Sequence, residues 1–314
     1  MPQYEEGIEA YLKRIREEAT GKRFPAQDID DQRWNTERTH SVWKKDAPDH
    51  IDKLDWWIGL PGREIPVRLY RRKDAKTPPV ILYLHGGGFV ASSYDTHDAI
   101  TWGLADATGA LVISANYRRA PENPYPAATE DCYAVLEWIR SHGAWLDADT
   151  SRVAVAGDSA GGCLATALAM MVRDRKAAPL KMQALLYPCL DAACDQPSQA
   201  REDDPMLTKK MMEGFWEAYL PGKRGTQDPL AVPVRATNLE GLPPAYMVVG
   251  EYDPLRDECA QYAGMLAKAG VDTDFHVMPG SIHGFLRARF VSEAARAEAS
   301  GVTRGSRAAR RLPK

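Results

Sequence analysis

Ser159 lies in a setting typical of an activated nucleophile. It stands between Gly157 and Gly161 in the segment GDSAG, after the apolar run RVAVA and before the helical run GGCLATALAMMVRD. A tight turn from a buried strand into a helix strains the serine backbone and holds its hydroxyl clear of the sheet, so small residues must flank it. Such a short motif also arises by chance, and Ser159 could instead only cap the helix.

A serine hydroxyl is a weak nucleophile that needs a base, and the best placed histidine is His283. It lies in the glycine-flanked loop MPGSIHGF, directly after the predicted strand DFHVM. Taken alone, a loop histidine is more often an ordinary surface residue. His276 lies within the strand and is interpreted as structural. The other histidines sit in polar segments without a comparable setting: His40, His50, His97 and His142.

The acid that orients the base is expected just after an intervening strand. The segment AYMVVGEYDPLRDE offers Asp253 and Asp257 there, with Glu251 as a weaker candidate. Because Pro254 suits the first position of a helix, Asp253 could instead be the N-cap of that helix, which would leave Asp257 as the acid. The position of Asp253 in the loop just beyond MVVG favours this residue as the acid.

The oxyanion that forms on an attacked carbonyl needs hydrogen-bond donors. The segment YLHGGGF places three successive glycines after an apolar strand, so its backbone amides can approach a substrate closely. Ala160, which follows the serine, is expected to supply a further amide. A flexible turn would explain the glycines but not the residues that bracket them, His85 and Phe89.

The elements that must position these residues alternate between continuous apolar strands and helices. This alternation predicts an α/β fold with a mostly parallel central sheet that helices cover on both faces. Two regions do not fit the alternation, residues 1–55 and about 190–232. In the first of them, clear helical spacing is confined to the apolar residues Ile8, Tyr11, Leu12 and Ile15.

The second misfit region contains a helical stretch rich in methionine and aromatic residues. This stretch either packs in the core or forms a lid over a site, since such side chains adapt to varied apolar ligands. The candidates for lining an apolar but bounded pocket are Phe89, Val90, Met211, Met212, Phe215 and Trp216.

Composition excludes several classes of function. The 314 residues carry a formal net charge of −3, which gives no basic field for nucleic acid. The five cysteines include no CxxC pair, so neither a disulfide framework nor a zinc site is expected. The charged N-terminus and the lack of any apolar run of about 18 residues predict neither a signal peptide nor a membrane span, hence a soluble cytoplasmic protein.

Five segments in order resemble the hormone-sensitive-lipase-like carboxylesterases, also called bacterial family IV esterases: HGGGF, YRRAPENPYPAA, GDSAGG, DPLRDE and IHGF. The resemblance covers roughly residues 60–290. It implies an α/β-hydrolase domain at 56–300 with a helical cap built from residues 1–55 and the insertion at about 190–232. The basic tail at 301–314 is expected to be a solvated end.

The family's catalytic residues carry over onto Ser159, Asp253 and His283. Its oxyanion hole carries over onto Gly87, Gly88 and Ala160. The GDSAG form of the motif resembles a subgroup that hydrolyses short to medium acyl esters, and the YRRAPE segment looks like a structural support of the active-site floor.

The resemblance implies a serine ester hydrolase that acts on a small-molecule ester and requires no metal or organic cofactor. An acyltransferase or an amidase would use the same residues, and a non-catalytic ligand-binding protein would share the fold. The joint presence of serine, histidine and aspartate argues against the non-catalytic alternative. A homodimer is one possible assembly.

Overall fold

Eight strands form one sheet in the part of the chain that this computed structural model describes, residues 2–19, 28–41 and 46–299. The strands are β1 Ile51–Leu60, β2 Arg63–Arg72, β3 Pro79–Leu84, β4 Leu111–Ala115, β5 Asp149–Asp158, β6 Gln183–Leu186, β7 Ala245–Gly250 and β8 Thr273–Met278. Their order in the sheet is β1-β2-β4-β3-β5-β6-β7-β8. The pairs β1/β2 and β2/β4 are antiparallel, and all other neighbours are parallel.

Helices alternate with these strands as the sequence predicts, which confirms the α/β fold class. The described helices are α1 Glu6–Ala19, α2 Ile29–Ser41, α3 Asp98–Thr108, α4 Ala127–Ser141, α5 Gly143–Leu146, α6 Ala160–Asp174, α7 Lys209–Tyr219, α8 Arg256–Lys268 and α9 Glu293–Ala299. Every residue of β4, β6 and β7 is buried, so both faces of the central sheet are covered. None of the helices described is long and apolar enough to cross a membrane.

The N-terminal region contains more regular structure than its sequence indicates. The predicted apolar stripe of α1 is buried, which confirms that this helix covers the core. Helix α2 and strand β1 were not anticipated, because their residues lack a clear apolar period. Since β1 begins at Ile51, the sheet starts inside the segment that the sequence analysis assigned to the cap. The predicted tail at 301–314 lies outside the described residues.

The methionine-rich stretch of the insertion forms α7, and the Thr208 hydroxyl accepts a hydrogen bond from the Met211 amide at its start. Met212 and Trp216 are buried, whereas the side chain of Met211 is 41% exposed. Both interpretations of this stretch therefore apply, each to a different face of one helix.

The turn from β5 into α6 holds Ser159 in a strained backbone conformation, with φ 54° and ψ −121°. The Ser159 amide donates to the Leu186 carbonyl oxygen at 2.9 Å, which ties the turn to the end of β6. The turn also packs closely on β3, because a Cβ at Gly161 would lie 1.9 Å from the Leu84 carbonyl oxygen. Only glycine fits at position 161 without a shift of the backbone.

Candidate active site

Three side chains form a hydrogen-bonded chain beyond the carboxyl ends of the parallel strands. Ser159 follows β5, Asp253 follows β7 and His283 follows β8. The Nε2 atom of His283 lies 3.0 Å from Ser159 Oγ, and its Nδ1 atom lies 2.8 Å from Asp253 Oδ2. Parallel strands end at the same edge of a sheet, so residues far apart in sequence meet there. The structure thus brings together the serine, the histidine and the favoured acid of the sequence analysis.

Asp253 has a second contact, within its own loop. Its Oδ1 atom accepts a hydrogen bond from the Leu255 amide at 2.8 Å, while Oδ2 faces His283. Helix α8 begins at the next residue, Arg256. The carboxylate therefore supports the turn before the helix and contacts the imidazole. The N-cap of α8 is Leu255, so the alternative that Asp253 itself caps this helix is wrong.

The other two candidate acids make different contacts. Asp257 accepts a hydrogen bond from the Ser198 amide at 2.8 Å. Glu251 accepts one from the Gly280 amide at 2.8 Å, which closes the loop before His283. The structure therefore places neither of these carboxylates on the imidazole.

The surroundings of His283 keep its imidazole basic. Burial alone would lower the pKa, but the charge and the hydrogen bond of Asp253 raise it, and the charges of Asp204 and Asp158 add to this effect. The pKa of His283 therefore lies above its ordinary value. The ring of Tyr187 packs against the imidazole edge to face, with the ring centres 4.9 Å apart.

The glycine run brings the main chain close to the serine. Gly87 and Gly88 have φ values of 120° and 61°, a region that favours glycine. A Cβ on Gly87 would lie 2.2 Å from a backbone carbonyl oxygen, and one on Gly88 would lie 2.3 Å from the ring of Phe215. Both glycines line the same cavity as Ser159. Ala160 follows the serine as the buried first residue of α6.

Asp158, the residue before the serine, anchors the glycine loop to the turn. Its Oδ1 atom accepts hydrogen bonds from the Gly86 amide at 2.9 Å and the Tyr83 hydroxyl at 2.7 Å. Burial raises the pKa of this carboxyl group. The combined effect of His97, the charge of Arg287 and the Tyr83 hydrogen bond is larger and lowers the pKa. The net pKa lies well below its ordinary value, so Asp158 is ionised and holds the loop firmly.

Two histidines that the sequence analysis set aside belong to this region, which corrects that interpretation. His97 is fully buried, and its Nε2 atom lies 3.2 Å from Asp158 Oδ2 and 2.8 Å from Arg287 Nη2. His40, on α2, lines the cavity. Burial lowers the pKa of both imidazoles, so both are neutral near pH 7. Their neighbours in sequence are polar, and their burial comes from segments distant in sequence.

The YRRAPE segment braces the glycine loop from behind. The Tyr117 hydroxyl donates to the His85 carbonyl oxygen at 2.6 Å, and the two rings stack with their centres 4.4 Å apart. The Ala120 amide donates to the Phe89 carbonyl oxygen at 2.9 Å. These contacts agree with the interpretation of this segment as structural support.

Asp204 was not a candidate from sequence, yet it contacts the main chain of the histidine. Its Oδ2 atom accepts a hydrogen bond from the His283 amide at 2.5 Å, and Oδ1 accepts from the amides of Met206 at 2.7 Å and Leu207 at 3.2 Å. Burial and the charge of Asp253 raise the pKa of Asp204 to about 7. One buried carboxylate thus ties the loop of the base to the insertion, a contact that no local pattern reveals.

A cavity of about 410 Å³ opens above Ser159. Its walls come from α1, α2, the glycine run and the segment 206–215. Among the residues that the structure describes, no group of three or more His, Cys, Asp or Glu side chains could hold a metal ion.

The predicted pocket needs correction at four of its six positions. Met211 and Phe215 line the cavity, and Val90 lines a groove beside it. The other three residues, Phe89, Met212 and Trp216, are buried in the core. There Phe89 stacks on Tyr219, with the ring centres 3.8 Å apart. Helix α7 turns one face to the cavity and the opposite face to the core, and its composition does not tell which face is which.

Comparisons with known proteins agree with this geometry. A family model for the alpha/beta hydrolase fold matches residues 81–287. Esterase LipI of Mycobacterium tuberculosis strain ATCC 25618 / H37Rv is 42% identical over 256 residues, which cover 80% of either chain. The ethyl acetate hydrolase of Pseudomonas putida is 35% identical over 298 residues, 92% of this chain and 93% of that protein. The solved structure of a hyperthermophilic esterase from Pyrobaculum calidifontis has a TM-score of 0.89 and 35% identity, with 98% of this chain and 100% of that chain covered.

The chain therefore belongs to the hormone-sensitive-lipase-like, or family IV, carboxylesterases of the α/β-hydrolase superfamily. It is a carboxylic ester hydrolase of the serine-hydrolase type, which removes the non-catalytic binding protein from the alternatives.

Asparagine substitutions separate the two candidate acids. In Asp253→Asn, the side chain can still accept from the Leu255 amide, but it cannot stabilise a protonated imidazole. A comparable change in another triad lowers turnover by roughly 10⁴, and we expect a loss of that order in kcat for p-nitrophenyl butanoate. The matched variant Asp257→Asn should stay within about tenfold of the parent. Circular dichroism should confirm that both variants fold, and the reverse order of activities would make Asp257 the acid.

The pH dependence of kcat/KM tests the surroundings of the base. The acid limb of the parent should lie above pH 6.5, the ordinary pKa of histidine, because the pKa of His283 is raised and only the neutral imidazole accepts a proton. Asp204 carries a partial negative charge near pH 7, because its pKa is about 7. Its loss in Asp204→Asn should lower the pKa of His283 and move this limb to lower pH.

An asparagine at position 204 also cannot accept every amide hydrogen that the carboxylate accepts, so kcat should fall by about tenfold. The matched control is Asp203→Asn, because this neighbouring carboxylate pairs with Arg201 instead. A drop in kcat without movement of the acid limb would contradict an electrostatic effect of Asp204 on His283.

Proposed function

We propose that the enzyme hydrolyses carboxylic esters of short to medium acyl length through Ser159, His283 and Asp253. The observation that carries the proposal is the chain of hydrogen bonds from Ser159 Oγ through both imidazole nitrogens to the buried carboxylate, at 3.0 and 2.8 Å. Nucleophile, base and orienting acid need this geometry for acyl transfer.

In the proposed mechanism, His283 Nε2 accepts the hydroxyl proton as Ser159 Oγ attacks the ester carbonyl. Asp253 holds the Nδ1–H group and stabilises the imidazolium that forms. The imidazolium then donates its proton to the departing alcohol, which leaves an acyl group on Ser159. A water molecule attacks this acyl-enzyme with His283 again as the base, and the carboxylic acid is released.

The proposed oxyanion hole consists of the amides of Gly87, Gly88 and Ala160. Two observations support it: both glycines line the cavity beside the serine, and the ionised Asp158 fixes the start of their loop through the Gly86 amide. Donors fixed in advance stabilise the developing oxyanion without reorganisation, and the loss of one such donor typically costs 10²- to 10³-fold in kcat.

The size of the cavity supports the preference for short and medium acyl chains. About 410 Å³ lies above the serine, and Met211 and Phe215 of α7 bound it on one side. The relative from Pseudomonas putida is named for hydrolysis of ethyl acetate, whose acyl group has two carbons. We therefore assign helices α1 and α2, together with the insertion at about 190–232, to a cap that limits the substrate length, since α1, α2 and α7 all contribute to the cavity wall.

Hydrolysis is the proposed outcome of the acyl-enzyme, although acyl transfer to another acceptor or amide cleavage would use the same residues. The relatives compared here carry esterase and hydrolase names. This supports water as the acceptor and an ester as the substrate.

Ester turnover by Ser159→Ala is the primary test. The variant should fold and lose turnover by on the order of 10⁶, since the triad acts as a unit. The matched control Ser141→Ala removes an exposed hydroxyl whose hydrogen bonds within the described residues go to helix carbonyls and the neighbouring His142, and it should keep full activity. In the same assay, p-nitrophenyl esters from acetate to palmitate should show a maximum between about two and eight acyl carbons. Retained activity in Ser159→Ala would refute the mechanism, and a preference for palmitate would refute the substrate range.

A further inference from the structure

Helix α2 presents a polar stripe where a covering helix normally presents an apolar one. In α1, the stripe at helical spacing is apolar and buried in the core. In α2, the residues at the same spacing all line the catalytic cavity, and all are polar. They are Gln32, Asn35, Thr36, Thr39 and His40. We call this stripe the α2 wall.

Polar contacts, rather than apolar burial, hold α2 in place. The Arg33 guanidinium donates to the carbonyl oxygens of Val90 at 2.8 Å and Ala120 at 3.0 Å, and it pairs with Glu122 at 2.6 Å. The only tryptophan of the helix, Trp34, is 49% exposed. Arg33 thus anchors the helix from outside the α2 wall, and the α2 wall itself faces what occupies the cavity.

The α2 wall retains hydrogen-bonding capacity. The hydroxyls of Thr36 and Thr39 donate to carbonyl oxygens of their own helix. Gln32, Asn35 and His40 complete the α2 wall, and the side chains of Gln32 and His40 line the cavity. Polar groups in an enclosed cavity are usually satisfied, so these two side chains point to a hydrogen-bonding partner on the ligand.

The opposite wall of the cavity is apolar. It is formed by Met206, Leu207, Met211 and Phe215. A purely hydrocarbon substrate would match this wall but would offer no hydrogen bond to the side chains of Gln32 and His40, at a cost for each polar group that loses water. A substrate with an oxygen atom along its chain would match both walls.

The charges around the cavity favour an uncharged substrate over a carboxylate. Arg287 lines the cavity, but its Nη2 atom donates to His97 Nε2 at 2.8 Å, and the same imidazole nitrogen lies 3.2 Å from Asp158 Oδ2. The guanidinium and this carboxylate therefore neutralise each other across one imidazole. Arg287 is the one lysine or arginine among the described residues that line the cavity, so an added anion would lose its hydration there without gaining an unpaired cation.

We propose that the preferred substrates are uncharged esters that carry a hydrogen-bond-accepting oxygen several atoms from the scissile carbonyl, which the α2 wall binds. This proposal rests on the proposed ester hydrolysis and names the substrate class for that site. Gln32 supplies amide hydrogens to the oxygen, and His40 supplies an N–H group, while the alkyl part lies along the apolar wall.

Two pairs of esters of equal chain length test the proposal. For the acyl side, p-nitrophenyl 4-methoxybutanoate is compared with p-nitrophenyl hexanoate. For the alcohol side, 2-methoxyethyl butanoate is compared with butyl butanoate. Each kcat/KM is divided by the rate constant of alkaline hydrolysis of the same ester, which removes intrinsic reactivity. In the parent, the ether ester of at least one pair should be favoured by about fivefold or more, the effect of one hydrogen bond.

Two variants and an anionic ester complete the test. In Gln32→Leu and in His40→Leu, the ratio of corrected kcat/KM for the ether ester to that for the alkyl ester should fall toward one. The matched control Gln227→Leu, on the exposed surface, should keep the parent ratio. The p-nitrophenyl monoester of adipic acid should react more slowly than the hexanoate.

Three results would overturn the proposal: no ether preference in either pair, a preference that both leucine variants retain, or faster cleavage of the adipate monoester. Because each ratio compares two esters under the same conditions, it can be read whichever residue is the nucleophile. Activity in Ser159→Ala would refute the mechanism proposed above, and it would leave this comparison interpretable.

Discussion

The imidazole of His283 contacts a hydroxyl and a carboxylate at once, and this double contact fixes how the surrounding loops must be placed. His283 must reach Ser159 with one ring nitrogen and Asp253 with the other, at 3.0 and 2.8 Å, although the three residues follow three different strands. Parallel strands in the order β5-β6-β7-β8 bring these loops to one edge of the sheet. The burial of the central strands then keeps that edge rigid.

Buried carboxylates fix the loops that surround this contact. A buried charge is tolerated only when hydrogen bonds replace its water, and each of these groups is bound by backbone amides. Asp158 holds the glycine run through the Gly86 amide, and Asp204 holds the histidine loop through the His283 amide. The same Asp204 carboxylate binds two amides of the insertion, so the wall of the cavity and the base share one support. The position of the cavity wall is thereby linked to the position of the base.

Local sequence predicted the parts of the site that have local causes. A strand, a glycine-flanked turn and a helix around Ser159 all lie within one continuous segment. The loops of Asp253 and His283 each follow directly on a strand of their own, so they too can be found from local sequence. Asp204 and the cavity-lining stripe of α2 carry no such signal, because their roles arise from contacts with residues distant in sequence. The assignment of Trp216 to the substrate pocket is wrong for another physical reason, since an apolar residue on α7 suits the core and a substrate pocket equally well.

In the proposed mechanism, the Ser159 hydroxyl is the group that becomes acylated. Treatment with diethyl p-nitrophenyl phosphate, followed by mass spectrometry of the intact chain and its peptides, identifies the reactive residue. We expect one diethylphosphoryl group per chain, on the peptide that contains Ser159, with activity falling in proportion to labelling. Full activity after complete labelling of Ser159, or inactivation with the label on another residue, would contradict this mechanism.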